Sequence, residues 1–136
     1  MIVVDTSVWI DYFNGKPTWQ TDRLDLLLSH APIIMGDIIL TEILQGFSSD
    51  SDYKTAAEYL GTFPCHDMVG CGVAAQSAQH YRILRKKGIT VRKTIDVMIA
   101  TFCISHGFYL LHNDRDSDPM TLHLNLKSIT REWTLE

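Results

Sequence analysis

Acidic side chains follow two apolar runs of this sequence, at points where a buried strand would end. Asp5 comes directly after the run at residues 2–4, and Asp114 and Asp116 follow the run at residues 108–111. A single Asp after a strand is ordinary turn chemistry. If both runs are parallel strands of one sheet, these acids lie at the same sheet edge, where such folds place their functional residues.

Two further acids, Asp96 and Glu42, lie among apolar neighbours in segments with helical character. Asp96 is in the first turn of a helix predicted at residues 95–106, and Glu42 lies inside the apolar stretch 38–47. The helical neighbours of Asp96 at three, four and seven positions on are Ile99, Ala100 and Cys103. A favourable helix dipole for Asp96, or a solvated position for Glu42, would also explain these acids, and both alternatives remain open here.

A cluster of buried carboxylates would need either protons or a cation. Like charges close together oppose one another's ionisation, and burial adds to this effect. Carboxylate oxygens suit the hard cations Mg²⁺ and Mn²⁺, which also bind phosphate oxygens. Ions held in this way polarise phosphodiesters. Convergence of these acids would therefore favour metal-dependent hydrolysis of a nucleic acid.

A basic segment at residues 82–93 leads directly into Asp96. It holds six of the 12 Lys and Arg residues and no acid, although the formal net charge of the chain is −4. The six cations are Arg82, Arg85, Lys86, Lys87, Arg92 and Lys93. A solvated helix end is one explanation, because cations are favoured at a helix C-terminus. The other is a surface that binds a phosphate backbone beside the acids.

Predicted strands and helices alternate along the chain, and these elements must position the candidate residues. Short apolar runs without polar alternation, separated by helical segments, predict an α/β fold: a three-layer α/β/α sandwich with a mostly parallel central sheet. Strands are predicted at residues 2–4, 32–35, 65–69, 108–111 and 126–129. Helices are predicted at residues 7–14, 21–30, 38–45, 51–63, 72–87 and 95–106. Asp37 and Thr94 are expected to be the N-caps of the third and sixth helices.

Length and composition indicate a single folded domain over residues 1–136. Hydrophobic residues make up 46% and charged residues 21% of the chain, as in an average globular protein. No apolar run approaches the roughly 20 residues that span a membrane, and residues 1–13 lack the basic region of a signal peptide. We therefore expect a cytoplasmic protein. Cys65, His66 and Cys71 are a conceivable zinc site, but they lack the paired spacing that is typical of zinc-binding sequences.

Four segments occur together in the order and spacing of a known family. These are VVDTSVWIDYF (3–13), TEILQG (41–46), IDVMIA (95–100) and LLHNDRD (110–116). The chain resembles the PIN domain family over nearly its whole length, specifically the VapC-type ribonuclease toxins of bacterial toxin–antitoxin pairs. Each segment alone is a weak signal, and only the ordered set is specific.

The resemblance implies a role for particular residues. Asp5, Glu42, Asp96 and Asp114 match the family's four catalytic acids, and Asp116 matches a further acid that joins Asp5, Asp96 and Asp114 in binding metal. Thr6 and Ser7 match hydroxyl residues that hydrogen-bond within the site. Arg82, Arg85, Lys86, Arg92 and Lys93 are the candidate RNA-binding residues. The implied protein is a Mg²⁺- or Mn²⁺-dependent endoribonuclease that leaves a 5′-phosphate, forms homodimers and is inhibited by an antitoxin, with no membrane contact.

Two residues depart from the family pattern, and other protein classes can be compared with the same acids. His112 stands where the family often has Thr or Ser, and Ser117 stands where it often has Phe. A receiver domain would need a phospho-accepting Asp after a middle strand, whereas Asp37 is expected to be a helix cap. A haloacid-dehalogenase-type phosphatase would need a second acid two residues after Asp5, where Ser7 stands. A housekeeping RNA-processing nuclease and a non-catalytic binding module of the same fold remain open alternatives.

Overall fold

The computed structural model describes residues 1–134 and contains a five-stranded sheet in which every pair is parallel. The strands are β1 (Ile2–Val4), β2 (Ile33–Gly36), β3 (Cys65–His66), β4 (Tyr109–Leu111) and β5 (Lys127–Ser128). Their spatial order is β3-β2-β1-β4-β5. The predicted sheet is therefore confirmed. All residues of β1 and β2 are buried, as expected for parallel strands that are covered on both faces.

Within residues 1–134, seven helices connect and cover these strands. They are α1 (Thr6–Phe13), α2 (Trp19–His30), α3 (Asp37–Gln45), α4 (Asp50–Leu60), α5 (Gly70–Lys86), α6 (Thr94–His106) and α7 (Asp118–Leu124). One group of helices packs around α1, which contacts α2 and α3, and a second group comprises α5, α6 and α7. The predicted α/β sandwich is confirmed.

The order of the strands creates a switch point between β1 and β4. The chain runs from β1 outward to β2 and β3, and then returns to the other side of β1 to form β4 and β5. Connections therefore leave β1 and β4 in opposite directions, and a crevice opens beyond their carboxyl ends. Asp5 and Asp114 follow these two strands. The topology thus brings together acids that are 109 positions apart in the sequence.

Both predicted helix caps are wrong. The N-cap of α3 is Gly36, and Asp37 is the first helical residue. The Asp37 carboxylate instead accepts hydrogen bonds from the backbone N–H groups of Ile38 (2.8 Å) and Met68 (3.0 Å), so it joins α3 to the loop after β3. The N-cap of α6 is Lys93, which makes no side-chain cap hydrogen bond, and Thr94 begins the helix.

Helix α7 and the 3₁₀ turn before it, at Arg115–Ser117, lie in a region where no element was predicted. Their signals are short. Pro119 stands in the first turn, where its missing N–H has no cost, and Asn125 ends the helix in the left-handed conformation (φ 61°). Seven residues are too few for a clear apolar period, so packing against α5 and α6 sustains the helix.

Gly36 is held at the junction of β2 and α3 by close packing. A Cβ at this position would overlap the Sδ atom of Met68, whose side chain is fully buried. We expect Gly36→Ala to lower the free energy of unfolding by about 1–3 kcal/mol, because a packed core resists added volume. Urea unfolding measures this change. Gly72→Ala is the matched control: a Cβ on Gly72 in α5 meets nothing within 4 Å, so it should be neutral or stabilising. Equal effects of the two substitutions would contradict close packing at Gly36.

Candidate active site

The backbone places Asp5 and Asp114 side by side. Val4 and Leu111 are paired at the ends of β1 and β4. The N–H group of Asp5 donates a 2.9 Å hydrogen bond to the carbonyl of Leu111. The residues that follow the two strands therefore lie at the same crevice, as the sequence analysis predicted for acids at one sheet edge.

The Asp5 carboxylate caps α1 and is buried. Its Oδ2 accepts hydrogen bonds from the backbone N–H of Ser7 at 3.1 Å and from the Ser7 hydroxyl at 2.6 Å. The Ser7 Oγ also accepts from the backbone N–H of Asn113 at 3.1 Å. The ordinary capping role and the position in the crevice thus belong to the same side chain. Ser7 ties the loop after β1 to the loop after β4.

Thr6 brings Glu42 into the same group of residues. The Thr6 hydroxyl donates a 2.7 Å hydrogen bond to Oε1 of Glu42. This bond joins the start of α1 to the middle of α3 and explains why Glu42 lies on an otherwise apolar segment. The solvated-position alternative for Glu42 does not agree with this contact, because the carboxylate is half-buried and points toward α1.

Asp96 lies in surroundings that disfavour its ionised form. Burial, and then the charges of Asp5 and Asp114, raise the pKa of Asp96 from 3.8 to about 7. Glu42 raises it further, whereas the cation of Lys93 opposes these effects. The Oδ2 atom of Asp96 is buried without a hydrogen-bond partner among residues 1–134. A helix dipole alone would not require such a position.

Three carboxylates have the spacing of a cation site. One oxygen each from Asp96, Asp114 and Asp116 can be chosen so that all three lie within 4.8 Å of one another. The unpartnered Oδ2 of Asp96 and the all-oxygen donor set both fit a hard divalent cation. Asp5 and Glu42 lie close enough to shift the pKa of Asp96 but do not belong to this triad. The metal-binding roles of these acids stay predictions. Within the described part of the chain, Cys65, His66 and Cys71 form no comparable group.

The basic residues divide into two sets. Arg92 lies at the acids: its Nε donates a 3.1 Å hydrogen bond to Oδ2 of Asp116, although the Arg92 side chain is 76% exposed. Lys93 acts on the pKa of Asp96. The remaining candidates, Arg82, Arg85 and Lys86, lie exposed on α5. Arg82 and Arg85 border a groove between α5 and α6 that reaches Thr94. RNA binding by either set stays a prediction.

His112 and Ser117, the two departures from the family pattern, have different surroundings. The Nδ1 of His112 accepts a long hydrogen bond (3.4 Å) from the backbone N–H of Asp114, and its Nε2 lies 3.4 Å from the Ser128 hydroxyl. His112 therefore supports the loop that carries Asp114. Ser117 is buried in the 3₁₀ turn, where the larger Phe would require a different local packing.

The side-chain amides of Asn113 and Gln20 contact the crevice, and the sequence analysis identified neither residue. The Asn113 side chain donates to Asp11 and accepts from the Gln20 amide, each at 3.3 Å. These contacts fix the loop after β4 between α1 and α2. Their only sequence signal is the position of Asn113 directly before Asp114. Gln20 gives no such signal, because it lies 93 residues away.

Comparison with known proteins gives a family and several relatives. The PIN domain family matches residues 2–120. A VapC ribonuclease of Mycobacterium bovis and ribonuclease VapC11 of Mycobacterium tuberculosis are each 32% identical over 130 residues, covering 94% of this chain and 97% of the relative.

Solved structures show the same fold at lower sequence identity. A chain of VapBC2 from Rickettsia felis, bound to a promoter DNA fragment, superimposes with a TM-score of 0.75 at 19% identity, covering 95% of this chain and 98% of that chain. A chain of VapBC-1 from nontypeable Haemophilus influenzae gives 0.72 at 20% identity, covering 96% and 98%. Among residues 1–134, no helix has the length and apolar character needed to cross a bilayer.

Proposed function

This chain belongs to the PIN domain family, and from that premise we propose that it is a divalent-metal-dependent endoribonuclease, the toxin of a toxin–antitoxin pair. The observation that carries the proposal is the group of acids at the switch point, with the pKa of Asp96 raised to about 7 by burial and by its neighbours. Relatives named as VapC ribonucleases support RNA as the substrate.

Asp96, Asp114 and Asp116 would hold Mg²⁺ or Mn²⁺, with Asp5 beside them. When bound, such an ion stabilises the charge that develops on a phosphodiester as it is hydrolysed. Two hydroxyl residues position the carboxylates around this site. Ser7 fixes the Asp5 carboxylate, and Thr6 fixes Glu42, so the negative charge is positioned before substrate arrives and needs little reorganisation.

Arg92 would bind the RNA backbone. Its guanidinium pairs with Asp116 and yet remains largely exposed, so it can reach a phosphate at the edge of the acidic crevice. A guanidinium forms paired hydrogen bonds with phosphate oxygens. The site would thus combine an acidic interior with a basic rim, and the rim would hold the substrate against an interior that repels it.

An antitoxin and a second copy of the chain are the proposed protein partners. The structural neighbours described as VapBC structures or toxin–antitoxin complexes support the first partner. The homodimer rests on the family resemblance, and a cytoplasmic location belongs to the same proposal. A gene for a small DNA-binding protein directly upstream would distinguish a toxin from a housekeeping nuclease.

The experiment that tests the reaction is expression of the protein under a tight promoter, followed by mapping of RNA 5′ ends. We expect new ends that carry a 5′-phosphate, together with growth arrest that co-expression of the antitoxin relieves. The purified protein should produce the same ends in vitro with Mg²⁺ or Mn²⁺. Unchanged RNA ends both in cells and in vitro would favour the non-catalytic binding module instead.

Joint substitution of Arg85 and Arg92 by Gln should weaken RNA binding and reduce its salt dependence. For a single strand, the slope of log affinity against log salt falls by about 0.7 for each phosphate that the protein no longer neutralises. Fluorescence anisotropy in EDTA measures binding without cleavage. Lys54→Gln with Lys127→Gln is the control, since both cations are exposed and neither pairs with the acids. An identical slope for the two double variants would make the basic segment a solvated helix end.

A further inference from the structure

We infer that a cavity next to Asp114 binds the base of a nucleotide adjacent to the phosphate that is cleaved. This inference rests on the proposed ribonuclease function and adds a substrate subsite to it. The cavity has a volume of about 360 Å³. It lies between the start of α2, the loop after β4, helix α7 and the segment after β5.

The position of the cavity ties it to the acids. Asp114 forms part of its wall and is also a member of the triad with Asp96 and Asp116. A group in the cavity therefore lies beside the residue whose carboxylate would hold the ion. For an extended RNA strand, an occupant so close to the reacting phosphate belongs to a neighbouring nucleotide.

One side of the cavity offers a stacking surface. Trp19 is half-buried there, and the guanidinium carbon of Arg131 lies 5.9 Å from the centroid of the Trp19 ring. Unpaired bases stack on aromatic rings and on guanidinium planes. This pair is thus suited to the face of a base.

Other residues of the wall offer hydrogen-bonding groups for the edge of a base. The hydroxyls of Thr121 and Ser128 lie 2.6 Å apart, and His112 contacts Ser128. These groups can donate or accept. Asp114 and Asp118 in the wall are balanced by Arg115 and Arg131, so the lining carries no excess positive charge for a free anion and suits a neutral base. A base therefore fits better than a phosphate group.

The test compares Trp19→Ala and Trp19→Phe in binding and in cleavage. In EDTA, Trp19→Ala should weaken binding of a single-stranded RNA oligonucleotide about tenfold, and Trp19→Phe should retain most of the affinity because stacking remains. With Mg²⁺, the Ala variant should raise KM more than it lowers kcat. Trp133→Phe is the control, because Trp133 packs on Tyr109 away from this cavity.

An abasic scan gives the sharper measurement. RNAs that lack one base at successive positions around the cut should show one position that weakens wild-type binding and has no further effect in Trp19→Ala. Arg131→Gln, which alters only an exposed side chain, should reproduce the defect if Trp19→Ala folds poorly. Normal RNA binding by both Trp19→Ala and Arg131→Gln would overturn the inference. The inference would also fail if these two substitutions weakened antitoxin binding and left RNA binding unchanged.

This design separates the subsite from the reaction. If the protein binds RNA through the cavity but cleaves none, the cavity remains a base-binding site and the proposed nuclease function fails. If it cleaves RNA with unchanged affinity and unchanged abasic profile in both variants, the function stands and the subsite fails.

Discussion

Replacing Asp96 by Asn should remove RNA cleavage and, in the metal-free protein, increase the free energy of unfolding. Activity should fall by about 1,000-fold or more, because the proposed ion loses a carboxylate ligand at the centre of the site. Stability should rise, because the neutral amide neither buries a charge nor repels Asp5 and Asp114, the causes that raise the pKa of the native carboxyl. Opposite effects on activity and stability are the signature of a functional residue rather than a structural one.

The stability effect depends on pH in a defined direction. The folded protein keeps the Asp96 proton up to a pKa of about 7, whereas the unfolded chain releases it near the ordinary value of 3.8. The folded state therefore binds more protons between these values, and the Asp96 contribution to stability falls as the pH rises through this window. Because Asp96 is only half-buried, solvent screening reduces the effect to about 1–2 kcal/mol at pH 8.

Urea unfolding of wild type and Asp96→Asn in EDTA, at pH 4 and pH 8, measures this difference. The two proteins should be similar at pH 4, and the variant should be more stable at pH 8. Glu58→Gln is the matched control, since it makes the same carboxylate-to-amide change on an exposed face of α4. A variant that loses stability at both pH values would show that Asp96 supports the fold instead.

Removal of divalent ions should abolish cleavage, and their return should restore it and stabilise the fold. An ion that binds only the folded state adds about 2.7 kcal/mol to the free energy of unfolding at 100 times its Kd. It also offsets the repulsion at Asp96, so the gain should be larger at pH 8 than at pH 5, where the proton competes with the ion. Thermal melting with and without Mn²⁺ measures the gain.

The matched comparison for the metal effect is Asp96→Asn. The variant should gain little stability from Mn²⁺, whereas Glu58→Gln should gain as much as the wild type. Cleavage that persists in EDTA, or equal stabilisation of all three proteins by Mn²⁺, would be incompatible with a metal site at Asp96, Asp114 and Asp116.

Asp5 combines a structural role in α1 with a position in the candidate active site. Its carboxylate accepts from Ser7 and caps α1, which is ordinary helix chemistry. The same bonds hold its charge beside Asp96, where it contributes to the raised pKa. Asp114 repeats this arrangement, because it caps the 3₁₀ turn through the backbone N–H of Asp116 at 2.9 Å.

Local sequence was sufficient for the strands, most helices and the unusual placement of the acids. The apolar runs of β1 and β4 are short, and each is followed by a polar residue, Asp5 or His112, so composition alone distinguishes them. Helix ends were less predictable. Asp37 has the chemistry of an N-cap, yet its carboxylate satisfies the N–H of Met68, 31 residues away, and no local rule anticipates such a partner.

The residue types in their order along the chain determined the fold class and the set of acids, because periodicity and turn chemistry act over a few neighbouring positions. Only the tertiary structure decided which acids meet, that Thr6 holds Glu42, that Arg92 pairs with Asp116 and that a cavity opens beside Asp114. The long-range hydrogen bonds of this site join residues 24 to 106 positions apart. They depend on the order of the strands across the sheet, which sets where each strand's carboxyl end emerges.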